Sequence, residues 1–157
     1  MIKDSGERKE YETGAVRDIQ EGKGRCDLMP LRVVARHLVK PIELHSDLPI
    51  YGIALFMETG DTTHLHEALA DFAIQHYQNS PETMLLEVSK HFEEGAKKYG
   101  ENNWQKGLPV KCYINSAIRH YLKHRRGDTD EPHDRAFVWN LLCCIWEVDH
   151  HQKGESA

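Results

Sequence analysis

Between Ser80 and Glu147 the apolar residues recur at the three- and four-residue spacing of an α-helix, and the run is interrupted at two places only. Ser80 and Pro81 supply a cap and a first-turn proline for a helix that ends at Gly100. Pro109 opens a second helix, which runs to about Arg126 and stops at Gly127, and Asp130 with Pro132 opens a third. Further helices are expected over Leu28–Val39, over Ile50–Glu58, and from Asp61 through Leu65, Ala68, Leu69, Phe72 and Tyr77. The expected fold is therefore all-α: a compact bundle of about six helices, preceded by an irregular N-terminal arm that shows no periodicity.

A chain of 157 residues with 39% hydrophobic content can bury one core, so a single domain over residues 1–157 is expected. Residues 40–80 read as an inserted helical pair that builds core or an oligomer face, and a homo-oligomer is the expected state. No apolar run approaches the ~20 residues of a membrane span, and the polar start MIKDSGERKEYE lacks the apolar stretch of a signal peptide. The four cysteines form no CxxC pair, which fits reduced thiols and a cytoplasmic location. His64, His66 and His76 fit packing or surface roles better than a metal site.

Chemistry-bearing residues concentrate between His91 and Glu147. Glu93 and Glu94 stand beside His91 on one helix, and Asp128, Asp130 and Glu131 precede His133 at the start of another. From Lys97 to Arg126 eight basic residues face one acid, a local charge of +7 in a chain of net −5. A polyanion on the basic belt can there meet a cation held by the flanking carboxylates, the arrangement of phosphoryl chemistry assisted by a hard metal. The competing reading of EExxKK is a solvated face of paired charges. The segment GAVRDIQEGKGR is no Walker loop, but its glycines can bring backbone N–H groups to a phosphate beside Arg17, Lys23 and Arg25; a solvated arm is the alternative. Trp104 either stacks on a base or plugs the core. His120 borders the apolar face of its helix. Asn140, amid apolar neighbours, is either a structural clamp or a ligand contact.

GAVRDIQEGKGRCDLMPL, HFEEGAKKYGENNWQKG, SAIRHYLKHRRGDTDEPHDRAFVWN and LLCCIWE together resemble the phage and prophage family of dATP/dGTP diphosphohydrolases, which belongs to or borders the MazG-like all-α nucleoside triphosphate pyrophosphohydrolases. The resemblance covers roughly residues 12–39 and 91–148. It implies an all-helical enzyme that uses Mg²⁺ or Mn²⁺ to cut a purine deoxynucleoside triphosphate to monophosphate and pyrophosphate. MazG-like enzymes place ExxE on one helix and ExxD on the next, whereas here Lys97 follows Glu94 at i+3 and Asp130 with His133 takes the later position. On this reading Glu94, supported by Glu93 and Asp130, holds the ions, with His91 or His133 replacing a carboxylate. Glu131 or His133 orients the attacking water. Lys23, Arg25, Lys97, Lys106, Arg119 and Arg126 contact phosphates, Asn103 and Trp104 the nucleoside, and His120 and Asn140 complete the substrate site.

Two rivals stand beside this reading. The string His133-Asp134 suggests a metal phosphohydrolase of the HD type, using His120, His133, Asp134 and Asp149. A helical adaptor that binds nucleic acid through the basic belt is the non-enzyme alternative, and the net charge of −5 argues against it.

Overall fold

The computed structural model describes residues 6–19, 23–29, 31, 34 and 47–151. The protein is all-α. Its described residues contain five α-helices, two short 3-10 turns and one two-stranded antiparallel ribbon. The chain packs as two compact units, one of Met1–Cys26 with Leu85–Ala157 and a second of Asp27–Met84. The helix expected over Leu28–Val39 lies mostly outside the described residues, of which Leu31 and Val34 are helical.

In the first unit the N-terminal segment holds a hairpin where no regular element is expected from sequence. Strand β1 (Arg8–Glu10) pairs with β2 (Val16–Asp18), in register Arg8 with Asp18 and Glu10 with Val16. Gly14, at φ +78, turns the chain between them, a backbone state that costs glycine little. Strands of three residues leave no alternation to read, and what fixes them lies far away in sequence. The Val16 N–H donates to Asn103 Oδ1 (3.0 Å), and Asn103 Nδ2 donates back to the Val16 carbonyl (2.9 Å), so a side-chain amide continues the ladder. Thr13 Oγ1 donates to the Gly107 carbonyl (2.6 Å). Asn115 accepts from the Cys26 N–H (2.5 Å) and donates to the Gly24 carbonyl (3.1 Å).

Three helices complete this unit together with a 3-10 turn at Asn103–Lys106: α3 (Pro81–Tyr99), α4 (Val110–Arg126) and α5 (His133–His151). Their ends are chemically marked. Ser80 Oγ accepts from the Thr83 N–H (3.2 Å), and Gly100 and Gly127 follow α3 and α4 in the left-handed region, at φ +92 and +86. Helices α4 and α5 pack along each other. They bury Tyr113, Ile114, Ile118 and Tyr121 from one side and Phe137, Val138, Leu141 and Cys144 from the other, with the Tyr121 and Phe137 rings 5.0 Å apart. Each such large side chain contributes about 1.5–3 kcal/mol on leaving water. All four cysteines are free thiols.

The second unit contains α1 (Leu48–Thr59) and α2 (Thr63–His76). Asp47 caps α1 by accepting from the Ile50 N–H (3.1 Å), which starts the helix two residues before the expected Ile50. Gly60, at φ +75, ends it. The two helices approach most closely at Gly52, where an added Cβ would lie 2.7 Å from the His64 carbonyl oxygen and 3.1 Å from Ala68 Cβ.

That contact makes a direct test of the packing. Gly52→Ala should cost about 1–3 kcal/mol of unfolding free energy in a urea titration, because backbone must move to admit the methyl group. Gly95→Ala on α3, where a Cβ meets nothing within 4 Å, should instead gain about 0.5–1 kcal/mol from helix propensity. A tolerated Gly52→Ala would contradict the close approach.

Candidate functional site

A cavity of about 920 Å³ opens in the first unit between β2, the 3-10 turn at Asn103–Lys106, α3, α4 and α5. That is the size of a small-molecule or nucleotide pocket. Met84 and Val88 on the apolar stripe of α3 are buried, and the stripe continues through Phe92 and Ala96 into the cavity wall, so one helix face serves both core and site. Phe92, Tyr99, Trp104 and Trp139 form an aromatic wall. Trp104 stands edge-on to Phe92 and to Trp146, with centroids 5.6 and 5.0 Å away.

Arg17, Lys23, Arg119 and Lys123 give the cavity a cationic side. Arg17 reaches in from β2 and donates from Nη2 to Asn140 Oδ1 (2.7 Å); Asn140 Nδ2 is fixed in turn by the Ala136 carbonyl (2.7 Å). The Arg17 guanidinium lies over the Tyr113 and Trp139 rings, 5.5 and 5.9 Å from their centroids. Arg119 donates from Nη2 to Ser116 Oγ (3.2 Å). The second terminal nitrogen of each, Arg17 Nη1 and Arg119 Nη1, is buried with no hydrogen-bond partner. Burial first, and the Arg17 charge second, lower the Arg119 pKa; burial likewise lowers that of Lys23, against the pull of Asp18. Crowded cations with unused donors form a site that an anion relieves. Asp18, the nearby carboxylate on β2, is taken up by Lys98 Nζ and Tyr99 Oη, each at 2.9 Å.

Across the cavity lies a corner of imidazoles and carboxylates. His120 Nδ1 and His133 Nδ1 are 2.9 Å apart, and each is 3.6 Å from Glu131 Oε1. His133 Nε2 meets Asp130 Oδ1 at 2.8 Å, and Lys123 Nζ stands 3.7 Å from Asp130 Oδ2. The hydrogen bond from His133 holds the Asp130 carboxyl down at about 2, and burial drives the His120 imidazole well below its ordinary range. Two sets of three donors converge among the described residues, His120 with Glu131 and His133, and Asp128 with Asp130 and His133.

The residues expected from sequence to form the site separate into two groups. His91, Glu93, Lys23, Asn103, Trp104, Arg119, His120, Glu131 and Asn140 line the cavity. Lys97, Lys106, Arg25 and Arg126 do not: Lys97 pairs with Glu93 on the surface, Arg126 grips Asp128 with two donors, and Lys106 and Arg25 are exposed. The basic belt is thus spread around the helices, with Arg119 and Lys123 turned into the cavity. Asn103 uses both amide atoms on Val16, which makes it a clamp for β2 before it is a nucleoside contact. Of the expected ligands, Glu93, Glu94 and His91 belong to neither convergent set, whereas Asp130 belongs to the second, with Asp128 and His133. Glu94 is half-buried on α3, and Asp130 is partly exposed, bound to His133 and Lys123. Trp139 is a cavity residue that sequence reasoning misses, Lys123 is counted there in the basic belt without being chosen as a phosphate contact, and Arg17 is noted beside the glycines without a place in the site. The signal for Arg17 is its pairing with Asn140, which no local pattern carries.

A family model described as dATP/dGTP diphosphohydrolase, N-terminal, matches residues 61–157. No curated protein and no solved structure matches the chain. The matched span takes in α2, α3, α4 and α5, and with them every cavity residue except those contributed by the N-terminal segment.

His91, buried against Trp139 at a centroid distance of 5.7 Å, has a testable electrostatic consequence. Burial holds its pKa at about 4 against an ordinary 6.5, with Glu94 raising it and Arg135 lowering it further. Between those values the unfolded chain binds a proton that the folded chain refuses, so stability falls as the pH drops from 6.5 toward 4, by up to about 1.4 kcal/mol per pH unit. Urea titrations at pH 7.5, 6 and 5 should show this slope, and His91→Phe should remove its share. A wild-type and variant difference that stays constant with pH would refute the assignment.

Proposed function

The chain belongs to the dATP/dGTP diphosphohydrolase N-terminal family, and from that premise we propose that it hydrolyses a purine deoxynucleoside triphosphate to the monophosphate and pyrophosphate, with Mg²⁺ or Mn²⁺ as cofactor. The observation that carries this reading is the pair of buried, unpartnered guanidinium nitrogens, Arg17 Nη1 and Arg119 Nη1, in one cavity with Lys23. Two planar forks and an ammonium in a partly dry pocket are suited to a phosphate chain, which accepts hydrogen bonds on every side. Asn140 holds Arg17 and Ser116 holds Arg119, so both donors are in place before the anion arrives and little reorganisation is needed as charge develops. The aromatic wall of Phe92, Trp104 and Trp139 offers faces for a purine. Glu131, 3.6 Å from both imidazoles, is the carboxylate placed to orient a water. A divalent ion supplies neutralisation of phosphate charge and a more acidic water; the donors that fit it best are those of the His120, Glu131 and His133 corner.

The HD-type alternative gains one point from the contact between His120 and His133, but neither Asp134 nor Asp149 joins a convergent donor set among the described residues. Products distinguish the two. With dATP or dGTP and Mg²⁺ or Mn²⁺, chromatography should resolve pyrophosphate and monophosphate in equal amounts, with no diphosphate at any time. Arg17→Ala and Arg119→Ala should each lower kcat/KM about 10- to 100-fold, the loss expected for one charge-assisted contact. Arg17→Lys should recover only part, since it keeps the charge and loses the fork. Orthophosphate as the primary product would overturn this reading.

A further inference from the structure

The corner at the mouth of α5, where the hydrolase reading puts its ion, has a geometry and a donor set that also select which ion it holds. His120 Nδ1, His133 Nδ1 and Glu131 Oε1 form a triangle with sides of 2.9, 3.6 and 3.6 Å. Its circumradius is about 2.0 Å, so one ion about 2.0–2.2 Å from each donor, the usual length for imidazole nitrogen and carboxylate oxygen bonds, satisfies all three. The side chains are well enclosed, with exposures of 14% for His120, 12% for Glu131 and 1% for His133. His133 is also held from behind: its Nε2 faces the Asp130 carboxylate and must donate to it, which directs Nδ1 toward the triangle. A carboxylate that fixes the tautomer of a histidine in this way is the usual outer partner of a metal-bound imidazole. Lys123, near the other Asp130 oxygen, steadies that partner.

The competing set of Asp128, Asp130 and His133 is weaker on the same criteria. Arg126 engages both Asp128 oxygens, and the His133 nitrogen facing that set is the one already committed to Asp130.

We propose that His120, His133 and Glu131 form a three-donor metal centre, with two nitrogens and one oxygen, that takes a borderline divalent ion of the Mn²⁺, Co²⁺ or Zn²⁺ class in preference to Mg²⁺, and that Asp130 is its positioning residue. The preference follows from the donors. Mg²⁺ is a hard ion that asks for six oxygen ligands and sheds water reluctantly, whereas imidazole suits the later first-row ions. Without an ion the two Nδ1 atoms, at 2.9 Å, share the one N–H proton of His120; when the ion takes that place the proton moves to His120 Nε2, and both imidazoles stay neutral. The inference rests on the hydrolase reading for what the ion is for, and on donor geometry alone for where it sits.

The test uses the full chain without nucleotide and Co²⁺ as the probe. Visible absorption should report one Co²⁺ per chain in a nitrogen-containing site of four or five ligands. Calorimetry at pH 7.5 in two buffers of different ionisation enthalpy should report no net proton release, as two neutral imidazoles and a carboxylate require, and release of one proton or more per ion would overturn this donor set. Millimolar Mg²⁺ should leave the spectrum intact. His120→Gln and Glu131→Gln, both at positions less enclosed than His133, should each weaken binding by at least about 100-fold with unchanged far-UV circular dichroism. Asp130→Asn should weaken it about 10- to 100-fold while the colour persists, and Asp128→Asn should change neither. Displacement of Co²⁺ by equimolar Mg²⁺ would overturn the proposal, as would loss of binding in Asp128→Asn with binding retained in His120→Gln. A chain that binds Co²⁺ as described but leaves every deoxynucleoside triphosphate intact would sink the hydrolase reading and leave the metal centre standing.

Discussion

Three carboxamides fix the N-terminal segment to the rest of its unit, and the cavity depends on them. Asn103 extends the ladder of β2 at Val16, Asn115 holds the backbone at Gly24 and Cys26, and Asn140 grips the Arg17 side chain. All three are buried, at exposures of 7% or less. A buried amide left unpaired costs about 1–3 kcal/mol, so each of these residues requires the segment as much as the segment requires it. A wholly apolar seam would have bound the segment without fixing its register, whereas an amide that meets one particular N–H and C=O accepts a single alignment. The consequence for chemistry is that Arg17 enters the cavity at a set depth.

How much of this is legible in the sequence varies with the range of the forces involved. The helices α3 and α4 and their ends follow from Ser80, Pro81, Gly100, Pro109 and Gly127, because caps, prolines and left-handed glycines act within a few residues. The hairpin is not legible, since Arg8–Glu10 and Val16–Asp18 are too short to alternate and depend on amides about ninety residues away. The placing of Phe92 and Ala96 at the cavity follows from the i, i+4 periodicity of α3, while the sorting of cations does not. Lys97 and Lys98 are neighbours in sequence, yet one pairs with Glu93 on the surface and the other is drawn to Asp18 on β2. A charge count along the chain cannot separate them.

The metal-ligand expectation shows the same limit in another form. Spacing along α3 puts Glu93 and Glu94 together because they are adjacent, but adjacent residues on a helix point about 100° apart. The convergent donors come instead from α4, from the loop that follows it and from the first residue of α5. That grouping is produced by the turn at Gly127, which folds the chain back so that positions thirteen residues apart bring their ring nitrogens to 2.9 Å.

The bond between Arg17 and Asn140 joins residues 123 positions apart. On a ribosome that adds about 5–20 residues per second, Arg17 emerges roughly 6–25 s before its partner exists. The hairpin lacks its amide ladder until Asn103 is made and its guanidinium clamp until Asn140 follows, and in that interval the cationic side of the cavity is open to any anion in its surroundings. The site is therefore completed only once α5 has begun, and a chain cut short before α5 would carry the charges of the pocket without the pocket.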